Sequence, residues 1–234
     1  MKQEFLKNMT TILTNKDFTI NADGPLLASY IKHLRGDTLL DLCTGNGIIP
    51  VWLLDRGFIG DIVALDIQEE AISLLQKTIE LNAFRNISAI NEDLKKYNSS
   101  VKFDIVCCNP PYYDKNNFVT SPKQKRIISR STVHADIRDV VDCAKRNLKD
   151  NGSFYCCFTP SGEKSLYEAL SLVNLNKRRI QFVRFSETRP PWLMLVHAEF
   201  GEELSIEILP EFVVEKSGVR NIDFDNIYIE GRQT

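Results

Sequence analysis

The chain has 234 residues, 43% of them apolar and 26% charged, with a net charge of −2. That length holds one large domain or two small ones with a substantial core, and the balanced charge excludes a global pull toward nucleic acid, so any such binding needs a local patch. No apolar run reaches membrane-spanning length and Met1-Lys2-Gln3-Glu4-Phe5 carries no signal-peptide core, which excludes a membrane role and sets a cytoplasmic expectation.

About 37 residues precede the first predicted strand, and they carry one short helix near Pro25 to Leu34. Thr38 to Thr44 is an apolar strand. Asn46 to Arg56 reads as a helix opened by a Gly-rich turn, and Asp61 to Ile67 as a second strand. Glu69 to Asn82 is helical, with Ala71, Leu74, Leu75 and Ile79 on one face. Ile87 to Ile90 is a short third strand and Phe103 to Cys108 a fourth. Asp136 to Leu148 is helical, with Asn151-Gly152 as its stop. Ser153 to Thr159 is a fifth strand, and Glu163 to Val173 is a helix. Arg179 to Phe185, Trp192 to Phe200 and Leu204 to Leu209 are strand-like runs without long helices between them.

Alternating strands and helices predict an α/β fold: a doubly wound, mostly parallel sheet with helices on both faces, whose last strands can pair antiparallel at one edge. One domain spanning 1–234 is expected, with residues 1–37 as a small N-terminal flap. The cysteines at 43, 107, 108, 143, 156 and 157 form no CxxC, and no histidine cluster lies near them in sequence. They read as small buried hydrophobes in a reduced cytosol, and no metal site is expected. His33, His134 and His197 have no partner pattern and read as structural.

Two features sit at the carboxyl ends of strands, where open α/β sheets bind ligands. The first is Asp41-Leu42-Cys43-Thr44-Gly45-Asn46-Gly47. Its glycines allow a sharp turn and close approach to a ligand, and a helix N-terminus follows. Asp66 lies 21 residues after Gly45, where a carboxylate can accept both hydroxyls of a ribose. Pro50 stands where a dinucleotide fingerprint needs glycine or alanine, which disfavours a nicotinamide enzyme. Asp93 is a third acid at the same sheet edge. The second feature is Asn109-Pro110-Pro111-Tyr112-Tyr113. Its amide can accept hydrogen bonds from an amino group, its prolines stiffen the backbone, and its rings can stack on a flat base.

Together these residues resemble the class I S-adenosylmethionine-dependent methyltransferases, which implies a Rossmann-like, mostly parallel seven-stranded sheet with an antiparallel edge strand. The resemblance implies that Asp41, Cys43, Thr44, Gly45, Asn46 and Gly47 underlie the methionine part of the cofactor. It gives the ribose to Asp66 and the adenine amino group to Asp93, with Ile67 and Leu94 also at the cofactor. Asn109, Pro110, Pro111 and Tyr112 become the catalytic loop for a nitrogen conjugated with a π-system. Phe18 to Ala28, Asp41 to Pro50, Asn109 to Tyr113 and Ile208-Leu209-Pro210 are similar, more narrowly, to the bacterial tRNA(Val) adenine(37)-N6-methyltransferase family. That implies a tRNA partner and places Asp23 over the cofactor. Gly24-Pro25 replaces the more usual small-plus-aliphatic pair there, and Ser129 to Thr132 departs from the family pattern.

For the substrate side, Tyr112, Tyr113, Lys123, Lys125, Arg126 and Arg130 are the candidates, in a basic loop that also holds Lys115 and Phe118. Lys177, Arg178, Arg179 and Arg184 are expected to extend the basic face. The alternatives are an rRNA guanine-N2 or a protein-glutamine N5 methyltransferase, and, outside enzymes, an RNA-binding module. A glutamine enzyme needs a larger N-terminal helical domain, and a DNA adenine enzyme needs a target-recognition domain. Oligomeric state is not readable from the sequence.

Overall fold

A computed structural model describes residues 1–110, 135–202 and 205–228. The N-terminal segment holds more than the expected short helix. β1 (Lys2–Phe5) and β2 (Thr11–Thr14) form an antiparallel hairpin, followed by α1 (Asp23–Tyr30). The sequence hides this hairpin because every residue of β1 is exposed and carries no core pattern.

The central strands are short apolar runs, as a sheet covered on both faces requires. They begin with β3 (Leu39–Leu42), followed by α2 (Ile48–Asp55) and β4 (Ile62–Asp66). Then come α3 (Glu69–Leu81), β5 (Ile87–Asn91) and β6 (Phe103–Cys108). After the undescribed stretch run α4 (Ile137–Asn147), β7 (Leu148–Phe158), α5 (Glu163–Leu172), β8 (Leu175–Ser186) and β9 (Leu193–Phe200). The seven strands β3 to β9 lie in the order β5-β4-β3-β6-β7-β9-β8, with β5, β4, β3, β6 and β7 mutually parallel. This is the expected doubly wound sheet. Its antiparallel strand, β9, is inserted between β7 and β8 and does not form the edge.

The sheet also grows past β8. β10 (Glu207–Ile208) and β11 (Phe212–Lys216) add in parallel to β8, and β12 (Val219–Arg220) pairs with β11, giving ten strands. The expected strand 204–209 is thus two residues long among the described residues. α6 (Ile222–Tyr228) folds back on α2, where Trp52 Nε1 donates to the Ile227 carbonyl at 2.7 Å.

α4 ends at Asn147, within one residue of the expected Leu148, and β7 begins there, five residues before the expected Ser153. Leu148 is already extended and buried, and it pairs with Phe103. The register then slips, so that Ile105 opposes Ser153. Gly152 serves this crowded bulge. A Cβ there would stand 2.8 Å from Leu148 Cδ2 and 3.0 Å from two carbonyl oxygens.

Alternation along the strands divides the core. Leu39, Ile105, Cys107, Tyr155 and Cys157 face α1 and α2. Leu40, Val106, Cys108, Phe154 and Cys156 face α4 and α5. The adjacent cysteine pairs therefore point to opposite faces and are buried, and all six cysteines are free thiols. Among the described residues, no helix is long and apolar enough to cross a membrane.

Candidate active site

The loop after β3 is wound by three left-handed residues, Cys43 at φ 57°, Gly45 at φ 58° and Gly47 at φ 83°. A non-glycine residue in that region is strained, a condition that clusters at functional sites. The two glycines have different reasons. Space around a Cβ on Gly45 is open, leaving the backbone accessible to a ligand. A Cβ on Gly47 would stand 2.3 Å from Leu75 Cδ1, so glycine lets α3 pack beneath the loop.

Asp66 ends β4 and fixes this loop. One carboxylate oxygen accepts the Gly45 N–H at 2.8 Å and the other accepts the Gln68 N–H at 2.9 Å. Burial raises its pKa against the pull of those backbone donors. Each oxygen has a further lone pair, so hydroxyls of a ligand can still be accepted.

Asp41 lies inside the sheet, one place short of the end of β3, and is fully buried. Cys107 Sγ donates to its Oδ1 at 3.3 Å. Its Oδ2 is buried, as is Thr44 Oγ1. Burial pushes the Asp41 carboxyl up to about 7. Buried polar atoms in native folds are normally satisfied. Here the Thr44 hydroxyl lies beside the Asp41 carboxyl and draws its pKa down against burial.

The remaining cofactor-side candidates divide. Ile67 is 41% exposed at the strand end, a free apolar surface for a ring. Asp93 follows β5, and its Oδ1 accepts the Lys95 N–H at 3.0 Å, so it orders its own turn. Arg146 clips that turn from α4 by donating to the Leu94 carbonyl at 2.8 Å. Leu94 itself is a core residue, buried on the α4 face, so its side chain is structural. Asn46 is also buried, and its Nδ2 donates to the Leu13 carbonyl at 3.0 Å. Both were expected at the cofactor. Their side chains hold the scaffold because each lies on the packed side of its turn.

Asp23 opens α1. A Cβ on Gly24 would lie 2.6 Å from Ile48 Cγ2, so the missing side chain brings α1 against the start of α2, beside the Gly47 turn. Trp192, just before β9, donates its Nε1–H to Asp23 at 3.2 Å. Sequence reasoning did not find this contact. Its one signal was a large polar-tipped ring after Pro190-Pro191.

Asn109 is the first residue past β6 and is half-buried, and Pro110 behind it is buried. The thiol of Cys157 on β7 donates to Asn109 Oδ1 at 3.1 Å. The order β4-β3-β6 sets Asp66, the Gly-rich loop and Asn109 side by side along one sheet edge. Pro111, Tyr112, Tyr113, Lys115, Phe118, Lys123, Lys125, Arg126, Arg130 and the 129–132 segment lie outside the described residues.

The second basic group does not form the expected face. Arg179 is buried. It donates to the Tyr30 carbonyl at 2.8 Å and stacks over the Tyr30 ring. Arg178 pairs with Glu199 at 3.3 Å, Arg184 with Glu211 at 2.6 Å, and Lys177 sits over Tyr167. Alternation along β8 and nearby carboxylates turn these cations to structural work.

His197 resembles a hydrolytic residue on paper. Its Nε2 lies 3.1 Å from both Ser153 Oγ and Glu199 Oε1. The trio sits inside the β7–β9 ladder, and the ring stacks on Tyr155. Burial lowers the His197 pKa to about 4, although Glu199 opposes the shift. A neutral imidazole locked between strands is a structural hydrogen-bonding group. Among the described residues no cluster of His, Cys, Asp and Glu gathers at metal-binding spacing.

Comparison with known proteins fits this geometry. The family model of the methyltransferase small domain matches residues 19–160. A tRNA1(Val) (adenine(37)-N6)-methyltransferase of Glaesserella parasuis is 28% identical over 157 residues, covering 67% of this chain and 66% of that protein. One of the same description from a Flavobacteriaceae bacterium is 25% identical over 221 residues, covering 93% and 92%. Among solved structures, an Agrobacterium tumefaciens protein described as a predicted O-methyltransferase superposes with a TM-score of 0.71 at 16% identity. It covers 88% of this chain and 95% of that one. A ribosomal protein L11 methylase of Lactobacillus delbrueckii aligns with a TM-score of 0.54 at 15% identity, covering 76% and 77%.

Proposed function

The chain belongs to the methyltransferase small domain family, and from that premise we propose that it transfers a methyl group from S-adenosylmethionine to the N6 of an adenine in tRNA. Position 37 of a valine tRNA is the favoured site, because relatives covering up to 93% of the chain are described by that activity. A tRNA substrate also puts the protein in the cytoplasm. The carrying observation is Asn109, held at the end of β6 one strand away from the loop that Asp66 fixes.

S-adenosylmethionine, when bound, supplies an electrophilic methyl group on a positively charged sulfur. This chain's residues do the rest. Asp41 and Thr44 support the loop beneath its methionine end, and Gly45 keeps the backbone clear above the loop. Asp66 takes ribose hydroxyls, Ile67 packs on the adenine ring, and Asp93 accepts from its amino group. α1 and the segment before it close this half as a flap, with Asp23 braced by Trp192.

The acceptor nitrogen has its lone pair delocalised into the adenine ring. Asn109 Oδ1 and the Pro110 carbonyl accept its two N–H hydrogens, which favours a pyramidal nitrogen and stabilises the positive charge developing on it. No strong base is needed before attack, and the extra proton leaves to solvent afterwards. Alignment of nitrogen and methyl carbon supplies much of the remaining acceleration. Pro111 stiffens the loop and Tyr112 stacks on the target base, which must be unstacked from its neighbours. Tyr113 and the Lys123 to Arg130 cations grip the flanking RNA.

The test is incubation with labelled cofactor and unmodified tRNA, rRNA, DNA or protein extract. Label in tRNA that digests to N6-methyladenosine is expected. Label in protein alone, or digestion to N2-methylguanosine, overturns the reading.

A further inference from the structure

We propose that Asn46 is a positioning residue for the cofactor loop and that it works through the N-terminal hairpin. Its buried amide ties the loop to β2, so S-adenosylmethionine affinity depends on side chains that lie beneath the seat and do not touch the ligand. The inference rests on the reading of the loop after β3 as the cofactor seat.

β1 covers one side of β2, and the N–H and C=O groups of alternate β2 residues face the other side. There Thr11 and Leu13 meet side chains in place of a third strand. Asn82 takes both groups of Thr11: its Oδ1 accepts the N–H at 2.9 Å and its Nδ2 donates to the carbonyl at 2.7 Å. Thr78 Oγ1 accepts the Leu13 N–H at 3.1 Å. The Leu13 carbonyl accepts from Asn46 Nδ2 at 3.0 Å. Thr78 lies on α3 and Asn82 caps its C-terminus, whereas Asn46 stands in the loop after β3, between two left-handed glycines. Leu13 is therefore the point where hairpin, helix and loop are joined.

Leu13, Asn46 and Thr78 are all buried. An unmade bond at such a joint leaves a polar group without water to turn to, so each partner holds the others in place. Asn46 is flanked by Gly45, whose N–H Asp66 holds, and by Gly47, which packs on Leu75 one turn before Thr78. Glycines have the widest backbone freedom, so an anchor placed between them restrains the most. The N-terminal segment meets the same loop again where Gly24 of α1 lies against Ile48. A loop held in its bound shape loses less entropy when the ligand arrives, and that saving appears as affinity. Apolar residues at 46 and 78 would serve packing alone, whereas a buried donor and a buried acceptor meeting at one backbone residue fix the register of loop against strand.

The experiment measures S-adenosylmethionine affinity by calorimetry for wild type, Asn46→Ala, Thr78→Val, Thr78→Ser and the Asn46→Ala, Thr78→Val double variant. Melting temperature, kcat on unmodified tRNA at saturating cofactor, and amide exchange of the Leu13 N–H are read alongside. Thr78→Val keeps the shape and removes the hydroxyl, and Thr78→Ser keeps the hydroxyl and removes the methyl group. Asn46→Ala and Thr78→Val are each expected to weaken cofactor binding roughly five- to thirtyfold, the scale of a lost buried hydrogen bond, with kcat nearly unchanged. Thr78→Ser binds nearly as wild type does. The double variant loses less than the product of the single effects, because both act through Leu13. Coupling is reciprocal, so saturating S-adenosylmethionine slows exchange of the Leu13 N–H in wild type and does so less in Asn46→Ala. Unchanged affinity in Thr78→Val with a lowered melting temperature overturns the role, as does an equal loss in the serine and valine variants, which signals packing. If Thr78→Val melts below the assay temperature, Asn82→Ala releases the same strand at Thr11 from a half-buried position and carries the same expectation. A wild type that binds no S-adenosylmethionine removes the cofactor reading itself. A binding wild type beside variants of unchanged affinity removes only this role.

Discussion

On one side of β3, the loops after β3, β4 and β5 are tied to one another by backbone and carboxylate. Asp66 holds Gly45 and Gln68, Gly47 packs on Leu75, and Asp93 orders its own turn. On the other side, Asn109 stands just past β6 and accepts a hydrogen bond from the Cys157 thiol of the neighbouring strand. The first flank is a preformed seat, and the second carries the reacting amide. Rigid positioning suits a common cofactor, whereas the acceptor must be admitted and released each turnover.

The largest expected effect tests this division directly. Asn109→Ala should lower kcat by roughly a hundredfold or more, the scale of losing a group that stabilises developing charge. Cofactor affinity, measured by calorimetry, should remain nearly that of wild type. Asp66→Ala should do the reverse, weakening cofactor binding by roughly tenfold or more through a lost charge-assisted contact and a loosened loop. If both variants lose cofactor binding equally, the two flanks are one unit and the comparison fails.

Next in size is a contrast between the two glycines. Gly47→Ala places a side chain at φ 83° and against Leu75. It should lower stability by roughly 2–3 kcal/mol, read by urea unfolding. Gly45→Ala meets only the backbone penalty, about 1 kcal/mol, and should show its larger effect on cofactor affinity. Equal stability losses would mean that Leu75 moves aside freely.

Smaller again is the dependence on pH. Asp41 has a pKa of about 7 in the fold against 3.8 as its ordinary value. Between those values the folded state keeps a proton that the unfolded chain has released, so stability falls as pH rises through that window. Asp41→Asn should flatten this slope in thermal unfolding without cofactor, with a gain of roughly 1–3 kcal/mol above pH 7. His197 acts at the acid side. Its depressed pKa of about 4 means that its contribution is complete above 6.5 and is lost as pH falls toward 4. His197→Gln should reduce that acid-side loss while leaving methyl transfer near the wild-type rate.

The two flanks also differed in how plainly the sequence announced them. β3 to β6 and α3 were readable because each is a short apolar run or a regular amphipathic helix whose neighbours are close in sequence. Asp66 and Gly45 were readable because their spacing follows from one βαβ turn. β1 was invisible because it is exposed throughout, and β2 is held from a distance by Thr78 of α3 and by Asn82 just past its end. The start of β7 was placed late because Asn151-Gly152 looks like a turn, while the buried pairing of Leu148 with Phe103 carries the strand back to the end of α4. Arg179 looked like part of a surface patch, since only the fold reveals the Tyr30 carbonyl above it. Cys157 could be read as apolar filling, because nothing in a sequence shows which residue a thiol faces across two strands.

The insertion of β9 between β7 and β8 has a consequence for synthesis on the ribosome. β7 and β8 emerge first but cannot touch, because the strand that separates them has yet to be made. Until Leu193–Phe200 emerges, β7 is an open edge carrying Tyr155, Cys156 and Cys157. Unpaired apolar edges of this kind recruit other chains. The nascent protein therefore completes its cofactor seat early and its reacting edge late, and a stall before residue 193 leaves a half-finished sheet exposed to aggregation.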